Sequence, residues 1–396
     1  MIHQTVIFIR RYANKVLNIP MPSLISGEGE LKSCPKLLKQ VKSEKVFIVT
    51  DKILTSLGIT QQLIDILEKE QFNYQVFDQV TPDPTVSTIE QGVEDFKENN
   101  CDSIIALGGG SVMDCAKAIA ACVVKNKKIS ALAGMFRVRK ALPPFIAIPT
   151  TAGTGSEATL VAVITDPVKK QKFTVVDPCL VPQFAIIDPL LMVGLPAKIT
   201  AETGIDALTH AIESYLSVHA TAQTKPYSLD AIKRIFINLP LAYNNGEDLK
   251  ARTEMAMASY YAGVAFTRAS IGYVHAIAHQ LGGYYHIPHG LANAVLLPHV
   301  LEFSFDKACK QYAEMAYAAN LISKDESIIV AAQAFVQAVK DLNLTLNIQS
   351  SFAELQSNDI PLLANRAVKE AFCDYPVPKQ MTVKECESIL EVVIEV

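Results

Sequence analysis

The stretch SIIALGGGSVMDCAKA, residues 103–118, decides the fold. Ser103 to Leu107 is a short apolar run that reads as a strand; it ends in three glycines, and a helix carrying Asp114 and Lys117 follows. A strand running through glycines into a helix is the opening of a β-α-β unit. In Gly108-Gly109-Gly110-Ser111 the absent side chains let backbone N–H groups approach a ligand, and the helix N-terminus adds partial positive charge suited to phosphate. The same segment could serve as a plain tight turn, and it is not the dinucleotide fingerprint GxGxxG.

Working outward, Val46 to Thr50, Tyr74 to Phe77 and Phe145 to Pro149 read as further strands, with helical patterns at Gln61 to Lys69 and Thr85 to Glu98. This alternation predicts a Rossmann-like α/β domain: a parallel sheet with helices on both faces. From Thr200 onward helical spacing dominates (Ala207–Tyr215, Ser228–Ile237, Leu249–Val264, Val274–Leu281, Ala308–Ala319, Ser327–Val339), which predicts an all-α second domain. Pro189 to Pro196 marks the boundary, giving domains 1–196 and 197–396.

Composition narrows the function. The 396 residues are 50% hydrophobic and 19% charged with mean hydropathy +0.22, enough apolar material for a large core and too much for disorder. With 36 Lys+Arg against 40 Asp+Glu, the net charge of -4 gives no general attraction to nucleic acid. The apolar stretch Ile104 to Val124 is broken by Gly108 to Gly110, Asp114 and Lys117, so no membrane span is expected. Eight scattered cysteines without a CxxC read as reduced thiols, and the apolar run Val6 to Ile9 precedes Arg10-Arg11, the reverse of a secretory signal; the expected location is cytoplasmic.

A second loop, Pro149-Thr150-Thr151-Ala152-Gly153-Thr154-Gly155-Ser156-Glu157, follows the Phe145 strand with hydroxyls and glycines that suit a phosphate or ribose. Two such loops at strand ends of one sheet define a ligand crevice. Asp51, after the Val46 strand, suits a ribose or a helix N-cap. In the ordinary Rossmann order this acid follows the glycines by about 20 residues. Here it precedes them, so Asp51 is a cap or the nucleotide is bound through a different topology.

The helical half holds Asp206-Ala207-Leu208-Thr209-His210, His275-Ala276-Ile277-Ala278-His279 and His289-Gly290. Residues i and i+4 share a helix face, so Asp206 with His210, and His275 with His279, can converge on a metal. Five of the eight histidines fall between His275 and His299; His286 and His299 keep a plain surface or core reading. HxxxH without a Glu after the first His is not the zincin motif. A mixed carboxylate and imidazole set suits Fe(II) or Zn(II).

Together the two loops, the segment Thr203 to Glu213, and Gly272 to His279 with Pro288-His289-Gly290 resemble the iron-dependent (group III) alcohol dehydrogenases, from about Leu24 to the C-terminus. The resemblance implies the dehydroquinate synthase-like fold, a cofactor-binding first domain and a metal-binding second one. It implies that Asp206, His210, His275 and His289 bind Fe(II), with Zn(II) the alternative, and that His279 is a proton-relay or positioning residue beside nicotinamide and substrate. Gly109, Gly110, Ser111 and Asp114 would hold the pyrophosphate region, and Thr150, Thr151, Thr154 and Lys172 would surround phosphate, ribose and nicotinamide. Asp51 matches the family's acid and favours NAD over NADP, because a carboxylate repels a 2′-phosphate. Asp83 stands near the nucleotide where many members have Asn, and Phe372-Cys373, ahead of Tyr375-Pro376-Val377-Pro378, stands where many have an Asn-Pro pair.

The expected activity is reversible oxidation of a small alcohol to its aldehyde or ketone by NAD, in a cleft between the domains. The alternative is a metal- and NAD-dependent lyase of the dehydroquinate synthase type. The small apolar segment Ala262 to Thr267 favours an uncharged substrate, against which only Arg268 points. A third reading, a nucleotide-binding protein without catalysis, conflicts with the ligand set. A homo-oligomer, a dimer or a multiple of dimers, is expected from the β-prone arm Thr5 to Ile9.

Overall fold

The computed structural model describes residues 19–169 and 171–395, and the arm Thr5 to Ile9 lies outside them. The chain forms two compact units, one spanning Ile19–Gly194 and one beginning at Leu195.

The first unit runs β1 (Ser23–Ser26), α1 (Cys34–Gln40), β2 (Lys45–Val49), α2 (Lys52–Ser56), α3 (Ile59–Lys69), β3 (Asn73–Phe77), α4 (Val86–Glu98), β4 (Ser103–Gly108), α5 (Gly110–Lys125), β5 (Gly134–Met135), β6 (Phe145–Pro149), β7 (Val161–Asp166), β8 (Gln171–Val176) and β9 (Phe184–Ile187). Six strands form one sheet in the order β1-β9-β6-β4-β2-β3, every neighbouring pair parallel. Successive side chains leave a strand on opposite faces. Phe47, Val49, Ile104, Ala106 and Ala147 therefore join one core, with Ile89 of α4 and Ile119 of α5. Val46, Ile48, Ile105, Leu107 and Ile148 join another, with Leu38 of α1 and Leu63 of α3. Burial on both faces is why these strands read as continuous apolar runs instead of alternating ones.

From β2 the chain moves outward to β3, whereas from β4 it moves the opposite way to β6, so the sheet reverses direction between β2 and β4. Crevices of parallel sheets lie at such a switch, beyond the carboxyl ends of the strands. A small second sheet, β5-β8-β7 with β7 and β8 antiparallel, is an addition that the alternating pattern does not announce.

The second unit is helical: α6 (Ala197–Leu216), α7 (Thr224–Asn244), α8 (Leu249–Ala269), α9 (Tyr273–Tyr285), α10 (His289–Ala318), α11 (Ile328–Thr345), α12 (Ile360–Asp374) and α13 (Val383–Val392). Helix α6 packs against α7, α8 and α10 and is buried nearly all round from Thr200 to Leu216, which places its polar Asp206, His210 and Glu213 inside the bundle. Helix α10 is far longer than the Ala308 pattern predicts, because it continues through Pro298. Proline cannot donate to the carbonyl of Ala294. Asn343 of α11 does so instead, Nδ2 to O at 2.7 Å. Among the described residues no helix is long and apolar enough to cross a membrane.

Candidate active site

Each unit gathers one group of the residues singled out above. In the helical unit Asp206 and His210 lie one turn apart on α6, His275 stands near the start of α9, and His289 is the first residue of α10. Ligand atoms of Asp206, His210 and His275, all buried, lie within 4.8 Å of one another. From Asp206 Oδ1 the distances are 3.8 Å to His210 Nδ1, 3.6 Å to His275 Nε2 and 3.6 Å to His289 Nε2. Bonds of about 2.1 Å to a tetrahedral metal would put donor atoms about 3.4 Å apart, close to the three separations from Asp206 Oδ1.

The electrostatics agree. Burial would push the Asp206 carboxyl up, but His210, His289 and His275 hold it well below the ordinary carboxylate range. Burial would push His275 down, but Glu213 and Asp206 outweigh it and raise its pKa to about 9. A buried carboxylate without a partner costs several kcal/mol, so Asp206 calls for positive charge beside it. Asn293, one turn after His289, donates from Nδ2 to Asp206 Oδ1 at 2.7 Å, and its own Oδ1 is buried without a partner. Phe266 of α8 stacks on His210 with centroids 4.3 Å apart, closing that side with an apolar ring.

Glu213 is a site residue that motif reading passes over. Its Oε2 meets His275 Nδ1 at 2.6 Å and accepts Gly272 N at 2.7 Å, while Oε1 accepts Val274 N at 2.8 Å. The carboxylate thus caps α9 and fixes Nδ1 as the donor, turning Nε2 toward Asp206. A Cβ on Gly272 would lie 2.8 Å from Glu213 Oε1, which is why glycine stands there. The sequence signal was available: Asp206, His210 and Glu213 are spaced four and three residues apart on one helix face.

His279 is turned elsewhere. The HxxxH spacing leaves it open as a further ligand, but its Nδ1 meets Glu370 Oε1 of α12 at 2.7 Å. Its ring lies against that of His289, centroids 5.5 Å apart and 17° from parallel. His286 terminates α9 with a positive φ of 61°, and His299 is inside α10.

In the α/β unit the crevice residues gather at the carboxyl edge of the sheet. Asp51 follows β2 and caps α2, its Oδ1 accepting Leu54 N at 2.9 Å. Gly109 precedes α5 and gives it no side-chain cap, which suits the first-turn N–H groups to a phosphate. The two loops interlock: a Cβ on Gly110 would meet Thr154 Cγ2 at 2.5 Å, and one on Gly109 would meet Thr151 Oγ1 at 3.2 Å. Gly109, Gly110, Ser111, Thr151 and Thr154 are half-buried, whereas Thr150 is buried. Lys172 of β8 pairs with Asp83 at 2.5 Å, and Asp83 N donates to Ser111 Oγ at 3.3 Å.

Asp114 is engaged within the protein. Its Oδ1 accepts Ser156 Oγ at 2.8 Å and its Oδ2 accepts Val163 N at 2.9 Å, so both oxygens are engaged by protein donors. A carboxylate in this position braces the second loop, and its charge would oppose a pyrophosphate. Lys117 does similar work: its fully buried Nζ lies within 3.0 Å of Ser156 O and Oγ, Thr159 O and Oγ1, and Val161 O.

Known proteins settle the kinship. Residues 22–189 match the family described as iron-containing alcohol dehydrogenase, and residues 200–394 match the Fe-containing alcohol dehydrogenase family, C-terminal. The chain belongs to the iron-containing alcohol dehydrogenases. This dehydrogenase is 39% identical over 372 residues to the NAD-dependent methanol dehydrogenase of Bacillus methanolicus, covering 93% of this chain and 97% of the relative. It is 38% identical over 374 residues to alcohol dehydrogenase 4 of Saccharomyces cerevisiae, 93% and 96% of the two chains. A crystal structure of 1,3-propanediol oxidoreductase superposes with a TM-score of 0.91 at 35% identity, covering 94% of this chain and 98% of that one. These relatives are named as oxidoreductases, so the lyase alternative falls away.

Proposed function

We propose that this alcohol dehydrogenase interconverts small alcohols and their aldehydes or ketones with NAD, using a divalent metal, Fe(II) before Zn(II), held by Asp206, His210, His275 and His289. The observation that carries the reading is the convergence of Asp206, His210 and His275, with His289 Nε2 3.6 Å from Asp206 Oδ1 and Glu213 orienting His275. When bound, the metal supplies a Lewis acid that eases loss of the hydroxyl proton, and NAD supplies the hydride acceptor. Asp206 stays ionised, His275 presents Nε2, and Phe266 keeps water from one side of the site. His279, outside the ligand set, takes or returns the proton of the substrate hydroxyl.

In the α/β unit, backbone N–H groups of Gly109, Gly110 and Ser111 bind the pyrophosphate, and Thr150, Thr151, Thr154 and Lys172 contact phosphate, ribose and nicotinamide. Asp83 tethers Lys172, while Asp114 contributes by bracing the second loop. Asp51 accepts from the ribose with the oxygen that the α2 cap leaves over, and its charge selects NAD over NADP. The names of two relatives, methanol dehydrogenase and 1,3-propanediol oxidoreductase, support small primary alcohols and diols as substrates. A cytoplasmic location is supported by the seven described cysteines, all free thiols. A homodimer, or a multiple of dimers, is supported by β1, whose outer edge borders no other described strand.

The test is anaerobic purification with elemental analysis, followed by NAD and NADP assays across methanol, ethanol, propanol and 1,3-propanediol. NADH formation that scales with iron or zinc content supports the reading. Absence of NADH formation in metal-loaded protein, and of NADH consumption with the matching aldehydes, overturns it.

A further inference from the structure

Beside the ligand cluster lies a second polar network, centred on a carboxylate from a different helix. Glu370 of α12 meets three side-chain donors at once: Oε1 accepts from His279 Nδ1 at 2.7 Å and from Tyr375 OH at 2.6 Å, and Oε2 accepts from Gln280 Nε2 at 2.7 Å. We propose that Glu370, assisted by Tyr375, is the positioning residue for His279, fixing its ring so that Nε2 is the atom offered to the substrate. The proposal rests on the reading in which His279 serves the substrate proton.

An ionised carboxylate only accepts, so the 2.7 Å contact requires the hydrogen on Nδ1. In the neutral ring Nε2 then carries the lone pair, the tautomer a proton acceptor needs. The ring plane is set twice, by the bond at Nδ1 and by the near-parallel face of His289, so rotation about the side chain would break both contacts.

The local sequence explains how the carboxylate is held. Helix α12 ends at Asp374 because Tyr375 precedes Pro376, and a residue before proline is driven out of the helical region. Tyr375 accordingly has φ -111° and ψ 126°, and its hydroxyl reaches back five residues to Glu370. Gln280 ties the other oxygen to α9, next to His279 itself. A staple between α9 and α12 would need only Gln280; the additional bond to His279 points to a role through that histidine.

A double-mutant cycle on the metal-loaded enzyme tests this, using His279→Ala, Glu370→Gln and the double variant, with Tyr375→Phe alongside. Glu370→Gln should lower kcat about 10- to 100-fold, with KM for NAD and metal content unchanged. On the His279→Ala background the same change should alter kcat less than about twofold, because the carboxylate acts only through the imidazole. Tyr375→Phe should give a smaller loss, again in kcat, and Glu370→Asp should recover part of the Glu370→Gln deficit. Wild-type kcat in Glu370→Gln, or losses that multiply in the double variant, overturns the proposal. Wild-type kcat in His279→Ala overturns the underlying reading of His279 instead, and this proposal with it.

Discussion

At Glu213 one carboxylate meets the imidazole of His275 and two backbone N–H groups at the start of α9, so helix position and ligand orientation depend on the same side chain. Glu213→Gln keeps the shape and removes the charge. Metal affinity, measured by competition with a chelator, should fall about 10- to 100-fold, as it does when an orienting carboxylate behind a histidine is lost. Unchanged affinity would show that His275 holds its orientation by packing alone. Asp51 permits a cleaner separation, because Asn caps a helix as well as Asp. Asp51→Asn should leave the α2 cap intact while raising kcat/KM for NADP about tenfold, since a like-charge contact costs on the order of 1 to 4 kcal/mol. Steady-state kinetics with both dinucleotides checks this, and an unaltered preference would place the 2′-hydroxyl away from Asp51.

Among the elements, α5 and the loop after β6 form one mechanical piece. Lys117 is fully buried, and burial pulls its ammonium down to about 8 despite Asp114 and Glu157. Five oxygens nevertheless surround it, so Lys117→Met would strand several acceptors. The expected cost is about 3 kcal/mol, or a midpoint lower by about 10 °C by calorimetry, with a raised KM for NAD as the second loop loosens. The join between α9 and α12 responds to pH. Burial pushes the Glu370 carboxyl up, but His279 and the donors from Tyr375 and Gln280 outweigh it and hold it below the ordinary value of 4.5. The unfolded chain therefore binds the extra proton first, and this contribution to stability is present above pH 4.5 and lost as pH falls through the folded value. Thermal midpoints of wild type and Glu370→Gln should differ most above pH 5 and converge below it.

For the whole molecule, what was legible in the sequence was what is contiguous. The strand-glycine-helix run at 103–118 gave the parallel sheet, and i, i+4 spacing put Asp206 and His210 on one face. What was not legible was remote pairing. Glu213 and His275 are 62 residues apart and His279 and Glu370 are 91, and no local pattern announces a carboxylate that arrives from another helix. The β7–β8 hairpin escapes for a different reason: β7 carries the apolar run Val161 to Ile164, but β8 mixes Gln171, Lys172 and Thr174 with its apolar residues, and an antiparallel pair has no place in a strand-helix alternation. The bonds of Asp114 to Ser156 and Val163 are remote pairings of the same kind, 42 and 49 residues away in the chain.

The central claim is that the Asp206 cluster holds the metal that turnover requires while NAD is bound by the other unit's residues. Asp206→Asn tests it most directly, with metal content, NADH formation and NAD binding measured on one preparation. The account predicts loss of metal and of turnover, with NAD affinity within about twofold of wild type. Turnover that persists in the metal-stripped variant would contradict it.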